Sequence, residues 1–276
     1  MSDAPSLSWA TVTVENHVAD VVLKATGKAS RMGPAFWQEM PTLFAWLDAE
    51  ADVRAIVLRG EGEGFSHGLD LAGMGADLAA LMAPGGGAAE RTRLHETITR
   101  MQRAITCVAS CRKPVIAAIH GWCIGGGVDL ATACDVRVCS AEAKFSVREV
   151  RLAMVADVGT LARLPQIIGE GATRELAFTG DDIDAARALR LGLVTEVLET
   201  PDALLAHARA MASRIAQNPP LVVQGVKQVL NARSERVADE SLRTVALWNS
   251  AFLPSQDLGE AMASFVQRRP PSFKGR

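Results

Sequence analysis

Three acidic residues, Asp129, Glu149 and Asp157, stand in one stretch of the chain, close to a run of glycines. Grouped carboxyl groups can pass protons to and from a substrate when their surroundings hold their pKa values apart. The run Gly125–Gly127 follows an apolar strand pattern and precedes a helix pattern, so its backbone can approach a ligand and point free N–H groups at it. Such groups stabilise a carbonyl oxygen that gains negative charge. These residue types are the ones that proton transfer beside an activated carbonyl would use.

Each acid also has a plainer interpretation. Asp129 falls in the first turn of a predicted helix, where a negative charge complements the helix dipole. Glu149 is compatible with a solvated charge at a strand end, and Asp157 with the N-cap of the next helix. The apolar neighbours of Asp157, which are Met154, Val155, Ala156 and Val158, favour a carboxyl group whose pKa is raised toward neutrality.

A second possible chemistry depends on Ser66. Residues 64–68 read G-F-S-H-G, which matches the nucleophile elbow of α/β hydrolases, with His120 or His207 as conceivable bases. An elbow needs its serine directly between the end of a strand and the start of a helix, whereas residues 60–63 separate Ser66 from the preceding strand. A serine hydrolase is therefore only a distant alternative.

The elements that must position these residues alternate between strand and helix. Strand patterns cover 9–15, 19–24, 54–59, 115–119 and 136–139, and helix patterns cover 35–50, 90–110, 128–133, 158–168, 171–178 and 184–190. Beyond Pro201 the pattern is helical, over 202–217, 221–232, 235–251 and 255–268. We therefore predict a catalytic α/β core over residues 1–200 and a helical region over 201–276. The segment 72–89, rich in glycine, leaves open whether it closes over a substrate.

Composition excludes several other classes of protein. The 276 residues are 49% hydrophobic, and 29 basic against 31 acidic residues leave no positive excess for binding nucleic acid. An apolar run of about 18 residues and a signal-peptide pattern are both missing, which predicts no membrane association and a cytoplasmic protein. The five cysteines lack metal-site spacing and are predicted to be small buried side chains, with no metal bound.

Three ordered motifs resemble the crotonase family, the enoyl-CoA hydratase and isomerase superfamily, from about residue 9 to the C-terminus. They read F-S-H-G-L-D-L over 65–71, K-P-V-I-A-A-I-H-G-W-C-I-G-G-G-V-D-L-A-T-A-C-D over 113–135, and A-K-F-S-V-R-E-V to R-L-P over 143–165. The resemblance implies an α/β protein with a ββα-spiral core and a C-terminal all-helical trimerisation region, as a homotrimer or a dimer of trimers. It also implies an acyl-CoA thioester substrate and no cofactor beyond the coenzyme A that this substrate carries.

Within the family, typical hydratases carry glutamates at the positions of Asp129 and Glu149 and a glycine at that of Asp157. The trio found here is similar to that of the Δ3,5-Δ2,4-dienoyl-CoA isomerases, whose reaction removes a proton at C2 and delivers one at C6. One short carboxylate does not easily reach both carbons, so Glu149 is assigned as an ionised base at C2, Asp157 as a protonated acid at C6, and Asp129 as their support. By position, the backbone N–H groups of His67 and Gly126 form the implied oxyanion hole.

Some positions depart from the family pattern. Relatives often show an N-A-x-N phrase where this chain has residues 30–34, so the adenine-side contacts there are open. Lys28, Arg31 and Lys274 are candidate contacts to coenzyme A, and solvated loop charges are the alternative for the first two. His67 is bulkier than the side chains common at its position. A 2-enoyl-CoA hydratase, or another activity of the same family, is the main alternative function.

Overall fold

The computed structural model describes residues 4–75 and 86–275, so most of the glycine-rich segment 72–89 lies outside the described residues. Its strands are β1 (Ala10–Glu15), β2 (Val18–Leu23), β3 (Ala25–Thr26), β4 (Ala29–Ser30), β5 (Ala55–Gly60), β6 (Val115–Ile119), β7 (Trp122–Ile124), β8 (Val136–Ser140), β9 (Lys144–Ser146), β10 (Asp182–Asp184) and β11 (Glu196–Leu198). Its α-helices are α1 (Pro34–Ala49), α2 (Ala88–Ser110), α3 (Gly126–Ala133), α4 (Thr160–Ile168), α5 (Glu170–Thr179), α6 (Ala185–Leu191), α7 (Pro201–Ala216), α8 (Pro220–Asn231), α9 (Glu235–Phe252) and α10 (Gln256–Gln267).

The main sheet has the order β1-β2-β5-β6-β8-β11. Its first two strands form the predicted antiparallel hairpin, and the turn places Asn16 and His17 at φ angles of 50° and 66°. The remaining neighbouring strands are parallel. In each pair, the chain between the two strands contains a helix, which is the usual connection between parallel strands. A smaller sheet of order β10-β9-β7 lies beside the glycine run. The predicted α/β class is confirmed.

The two faces of the main sheet are covered by different parts of the chain. One face packs on the largest apolar cluster, which includes Phe36 and Phe44 of α1 and Ile105 of α2. The other face packs on α7 through Leu204 and Ala208. The helical region that begins at Pro201 therefore supplies one layer of the core itself.

The other sequence-wide predictions concern thiols and membranes. All five cysteines are free; four are buried as predicted, whereas Cys107 is only partly buried. Burial raises the pKa of Cys123 and Cys134. Within residues 4–75 and 86–275, no helix is long and apolar enough to cross a membrane.

Candidate active site

The glycine run lies where two backbone segments almost touch. Gly125 directly follows β7 and has a φ of 53°, and a Cβ there would lie 3.2 Å from Oε1 of Glu149. A Cβ on Gly127 would lie 2.7 Å from the carbonyl oxygen of Ser66. Side chains at these positions would therefore separate the glycine run from the segment around Ser66 and crowd the glutamate.

The backbone N–H groups that are free to bind an oxyanion differ from the predicted pair at one position. The N–H of His67 donates to the carbonyl oxygen of Ser30 at 2.9 Å, so it is not available to a ligand. The next free donor is Leu69, two residues later, because the N–H of Gly68 bonds the Ser66 hydroxyl. In the described part of the chain, the N–H groups of Leu69 and Gly126 have no acceptor.

These two free donors are close neighbours. A Cβ on Gly126 would lie 3.3 Å from Cα of Gly68 and 3.6 Å from the nitrogen of Leu69. Gly126 is also the first residue of α3, where a backbone N–H lacks a partner within the helix. The geometry therefore replaces His67 with Leu69 and keeps Gly126.

Asp129 lies deepest of the three acids, with 1% of its surface exposed. The N–H of Thr160, at the start of α4, donates to its Oδ1 at 2.5 Å, while its Oδ2 is buried without a partner among the described residues. Burial raises the pKa of Asp129, and the Thr160 N–H and the nearby Arg163 oppose this rise. Asp129 is therefore the acid that its surroundings support best as an anion.

Glu149 begins a 3₁₀-helix, Glu149–Leu152, directly opposite the glycine run. Its Oε2 is buried and has no partner within the described ranges. Burial raises the pKa of Glu149 well above its ordinary value, and the negative charges of Asp129 and Asp157 raise it further. Its carboxyl group can therefore hold or accept a proton near neutral pH.

Asp157 is held by two amides from different helices. Asn249 of α9 donates from Nδ2 to Oδ2 of Asp157 at 2.7 Å, and Gln102 of α2 donates to its carbonyl oxygen at 2.7 Å. Burial raises the pKa of Asp157 to about 7, with the Asn249 bond opposing and the charge of Asp129 adding to the rise. The predicted alternative, an N-cap, is not what its side chain does, because Gly159 occupies the N-cap of α4.

The three carboxyl groups influence one another, since the charges of Asp129 and Asp157 act on Glu149 and that of Asp129 acts on Asp157. Repulsion between like charges disfavours full ionisation of the group. Burial raises the pKa of both Glu149 and Asp157, so the shifts do not separate them in the predicted direction, with the first ionised and the second protonated. The geometry of the acids must assign their roles.

A partly buried cation balances part of this negative charge. Arg163 lies one turn along α4 from Thr160, and its Nη2 donates to Oγ1 of Thr106 at 2.9 Å. Its Nη1 is buried without a hydrogen-bond partner in the described part of the chain. Arg163 was not among the predicted residues, although it belongs to the R-L-P phrase that ends the third motif.

The raised pKa of Asp157 makes stability depend on pH. Its folded pKa of about 7 exceeds the value of 3.8 for a free aspartate, so the native state keeps a proton that the unfolded chain loses. Stability from this proton is present below pH 4 and is lost as the pH rises to 7. We expect Asp157→Asn to raise the free energy of unfolding at pH 8 by about 2–4 kcal/mol relative to the parent, a gap that closes near pH 4.

Urea unfolding at both pH values measures this gap. The exposed Asp181, changed to asparagine, is the matched control and should show no such pH-dependent difference. An equal gap at pH 4 and pH 8 would contradict the raised pKa of Asp157.

The serine hydrolase alternative does not fit the structure. Ser66 is fully buried, and its hydroxyl accepts the N–H of Gly68. Nε2 of His120 bonds the carbonyl oxygen of Gly62, and that of His207 lies 3.2 Å from Glu196. Neither imidazole is bonded to the serine, so the base that a nucleophilic serine requires is not in place.

The predicted coenzyme A contacts fall on different parts of the surface. Arg31 is exposed and acts electrostatically on His67, which places it near the free N–H groups. Lys28 lies 3.4 Å from Glu63 and is largely exposed. The backbone N–H of Lys274 donates to Asp257, so the tail folds back on α10. The structure therefore brings Arg31 toward the candidate site and shows no contact between Lys274 and the acids.

Comparison with known proteins supports the family that the motifs resemble. The model of the enoyl-CoA hydratase/isomerase family matches residues 13–276. A protein of Dictyostelium discoideum named mitochondrial Delta(3,5)-Delta(2,4)-dienoyl-CoA isomerase is 44% identical over 257 residues, which cover 93% of this chain and 87% of that protein. The peroxisomal protein of that name from Arabidopsis thaliana is 41% identical over 263 residues, which cover 94% and 93% of the two chains.

A solved structure gives the same result for the fold. The crystal structure of an enoyl-CoA hydratase from Mycobacterium avium subsp. paratuberculosis superposes with a TM-score of 0.83 at 24% identity, covering 98% of this chain and 100% of that one. The main sheet, the glycine run and the C-terminal helices thus form a known architecture. With the family model spanning nearly the whole chain, this protein belongs to the enoyl-CoA hydratase/isomerase family.

Proposed function

We propose that the protein converts a 3,5-dienoyl-CoA into the conjugated 2,4-dienoyl-CoA by moving a proton from C2 to C6. The observation that carries this proposal is the third acid, Asp157, which joins Asp129 and Glu149 in one electrostatic group. The names of the relatives at 44% and 41% identity support the same reaction.

The order of groups along the site fits the substrate. The free N–H groups of Leu69 and Gly126 receive the thioester oxygen, and Glu149 lies next to Gly125, beside them. C2 is bonded to the thioester carbon, so Glu149 is the acid placed to reach it. Asp157 is held on the side of α9 and serves the remote carbon C6.

The proton transfers then balance without another reactant. Glu149 takes a proton from C2, and the electron pair of that C–H bond is delocalised onto the thioester oxygen at Leu69 and Gly126. Asp157 donates a proton to C6, which leaves double bonds at C2–C3 and C4–C5. Glu149 ends protonated and Asp157 ionised, and return of one proton from Glu149 to Asp157 completes the cycle. The raised pKa values of both acids make that return feasible at neutral pH.

A surface pocket of about 540 Å³, mostly apolar but also lined by Glu240, Ser241 and Thr244, adjoins the loop that carries Asp157. It is lined by Val155 and Leu161 at the two ends of this loop and by Val245 and Trp248 of α9. The acyl chain beyond C6 is an apolar group that such a cavity can bury. We therefore assign the cavity to the tail of the substrate.

Removing one oxyanion donor should slow the reaction strongly. Leu69→Pro deletes a backbone N–H that bonds no other group in the described structure, and we expect kcat to fall by about 10²–10³-fold. Leu69→Ala keeps the N–H and should lose far less. Steady-state kinetics with a thermal melt of each variant make the comparison. Equal losses in both variants would argue that the side chain, not the N–H, matters.

The C-terminal helices support association of subunits, and we propose a homotrimer or a dimer of trimers. Helix α8 exposes five large apolar side chains along its length, namely Leu221, Val222, Val226, Val229 and Leu230. An exposed apolar surface of this kind is typical of an interface between subunits. Sedimentation of the protein and of Leu221→Asp tests this assembly, and a monomeric parent protein would contradict it.

A direct assay separates the proposed function from its main alternative. The protein is supplied in turn with a 3,5-dienoyl-CoA and with a 2-enoyl-CoA, and the conjugated product of the first is followed by its absorbance. We expect the dienoyl substrate to be consumed much faster. Preferential hydration of the 2-enoyl-CoA would identify a hydratase instead. The named relatives belong to mitochondria and peroxisomes, and a cytoplasmic location for this chain stays a prediction.

A further inference from the structure

We propose that Asn249 is a positioning residue that orients the carboxyl group of Asp157, so that Oδ1 alone carries the proton delivered to the substrate. This inference rests on the proposed function, in which Asp157 is the acid. It adds to the site a residue of α9, in the helical region beyond Pro201.

The orientation of the Asn249 amide is fixed by its two partners. Its Nδ2 donates to the carbonyl oxygen of Val155 at 2.9 Å and to Oδ2 of Asp157 at 2.7 Å. A backbone carbonyl oxygen accepts hydrogen bonds and never donates them, so the NH₂ group, not the amide oxygen, must face this pair. The side chain is 2% exposed, which leaves it no alternative contact with water.

This orientation has a consequence for the proton of Asp157. An NH₂ group has two hydrogens, and both are used, one on Val155 and one on Oδ2 of Asp157. It has no lone pair that could accept a hydrogen bond from a protonated Oδ2. The unprotonated oxygen of a carboxylic acid is the stronger acceptor, so the bond from Asn249 to Oδ2 favours the tautomer that carries its proton on Oδ1.

A second amide holds the same residue by its backbone only. Gln102 of α2 donates from Nε2 to the carbonyl oxygen of Asp157 at 2.7 Å and to that of Leu242 in α9 at 2.9 Å. It restrains the loop but does not touch the carboxyl group. At Asp157, Gln102 therefore has a structural role through the backbone, whereas Asn249 acts electrostatically on the carboxyl group.

The charges around Asp157 make the contribution of Asn249 measurable. The charged groups that face it are Asp129 on α3 and Glu149 on the 3₁₀-helix, both acidic, whereas α2 and α9 present the neutral amides of Gln102 and Asn249. Burial is the largest cause that raises the pKa of Asp157, and the bond from Asn249 is the largest that lowers it. Loss of this bond should therefore raise the pKa further.

The test compares Asn249→Leu with two matched variants by carbon-13 NMR titration of the Asp157 carboxyl group and by pH profiles of kcat. For Asn249→Leu we expect the pKa of Asp157 to rise by about one unit, the alkaline limb of the profile to move with it, and kcat to fall about 10–100-fold. Gln102→Leu should lower kcat without moving the titration. Asn231→Leu removes a partly buried amide bond to Ala109 that involves none of the three acids, and should change neither.

An unmoved titration in Asn249→Leu would overturn the inference, whatever the activity. The titration needs no substrate, so it remains decisive even if the direct assay identifies another reaction. If Asn249→Leu does not fold, Asn249→Ala removes the same donor with a smaller side chain and adds no charge beside Asp157. Its titration at Asp157 must then move upward, and failure to do so would equally overturn the inference.

Discussion

Asp157→Asn should lower kcat for 3,5-dienoyl-CoA isomerisation by about 10²–10⁴-fold, the range typical of a lost general acid. Asparagine has the shape of aspartate and can still accept the bond from Asn249, so the loop should keep its position. It has no proton to deliver at C6. The absorbance of the conjugated product measures the loss.

Hydrogen–deuterium exchange at C2 of the substrate provides a second measurement for this prediction. In deuterated water, Asp157→Asn should still incorporate deuterium at C2 of the substrate, because Glu149 and the oxyanion donors are untouched. Exchange without product would show that the variant stops after the first proton transfer. A near-normal rate of isomerisation would remove Asp157 from the mechanism, and Asp181→Asn provides the surface control.

Glu149→Gln should show the second large effect, a loss of about 10²–10⁴-fold in isomerisation accompanied by loss of exchange at C2. The amide keeps the size of the side chain opposite Gly125 but cannot take a proton from carbon. Mass spectrometry of recovered substrate detects the exchange, and the absorbance assay detects turnover.

The pair of variants also tests the direction of the reaction. Glu170→Gln, on an exposed helix position paired with Arg174, is the matched control and should behave as the parent. If Glu149→Gln retained exchange at C2 while Asp157→Asn lost it, the two acids would have the reverse roles. Asp157 would then be the base, and the order assigned along the site would be wrong.

Much of the fold could be predicted because its long elements carry strong periodic patterns. Helix α1 spans Pro34–Ala49 where 35–50 was predicted, and strand β6 matches its predicted range. The three-residue strands β7 and β9 were missed. They are too short to show a pattern, and they form through pairing with each other and with β10.

The two proposed oxyanion donors show what a sequence motif cannot specify. The phrase F-S-H-G-L-D-L locates the donor segment but does not say which N–H is free. That depends on Ser30, which takes the N–H of His67, and on Gly68, whose φ of 73° turns the chain before Leu69. Such a pairing between distant segments leaves no local signal in the sequence.

The supports of Asp157 were beyond sequence reasoning for a similar reason. Asn249 lies on an amphipathic helix 92 residues away, where a polar residue gives no sign of facing inward. The apolar setting of Asp157 could be read from its neighbours, and its raised pKa agrees with that reading. The rise in the pKa of Glu149 caused by the charges of Asp129 and Asp157 could not be predicted from the sequence, because it depends on how the three acids are arranged in space.

The two side-chain amides that hold Asp157, those of Gln102 and Asn249, also bear on how the molecule folds. Gln102 and Asn249 reach the loop across 55 and 92 positions of the chain, and Gln102 reaches α9 across 140. Contacts between such distant segments form late, because a long loop must close before they contribute energy. The placement of Asp157 therefore requires both α2 and α9 to be packed on its loop, so catalytic competence depends on contacts that span much of the chain.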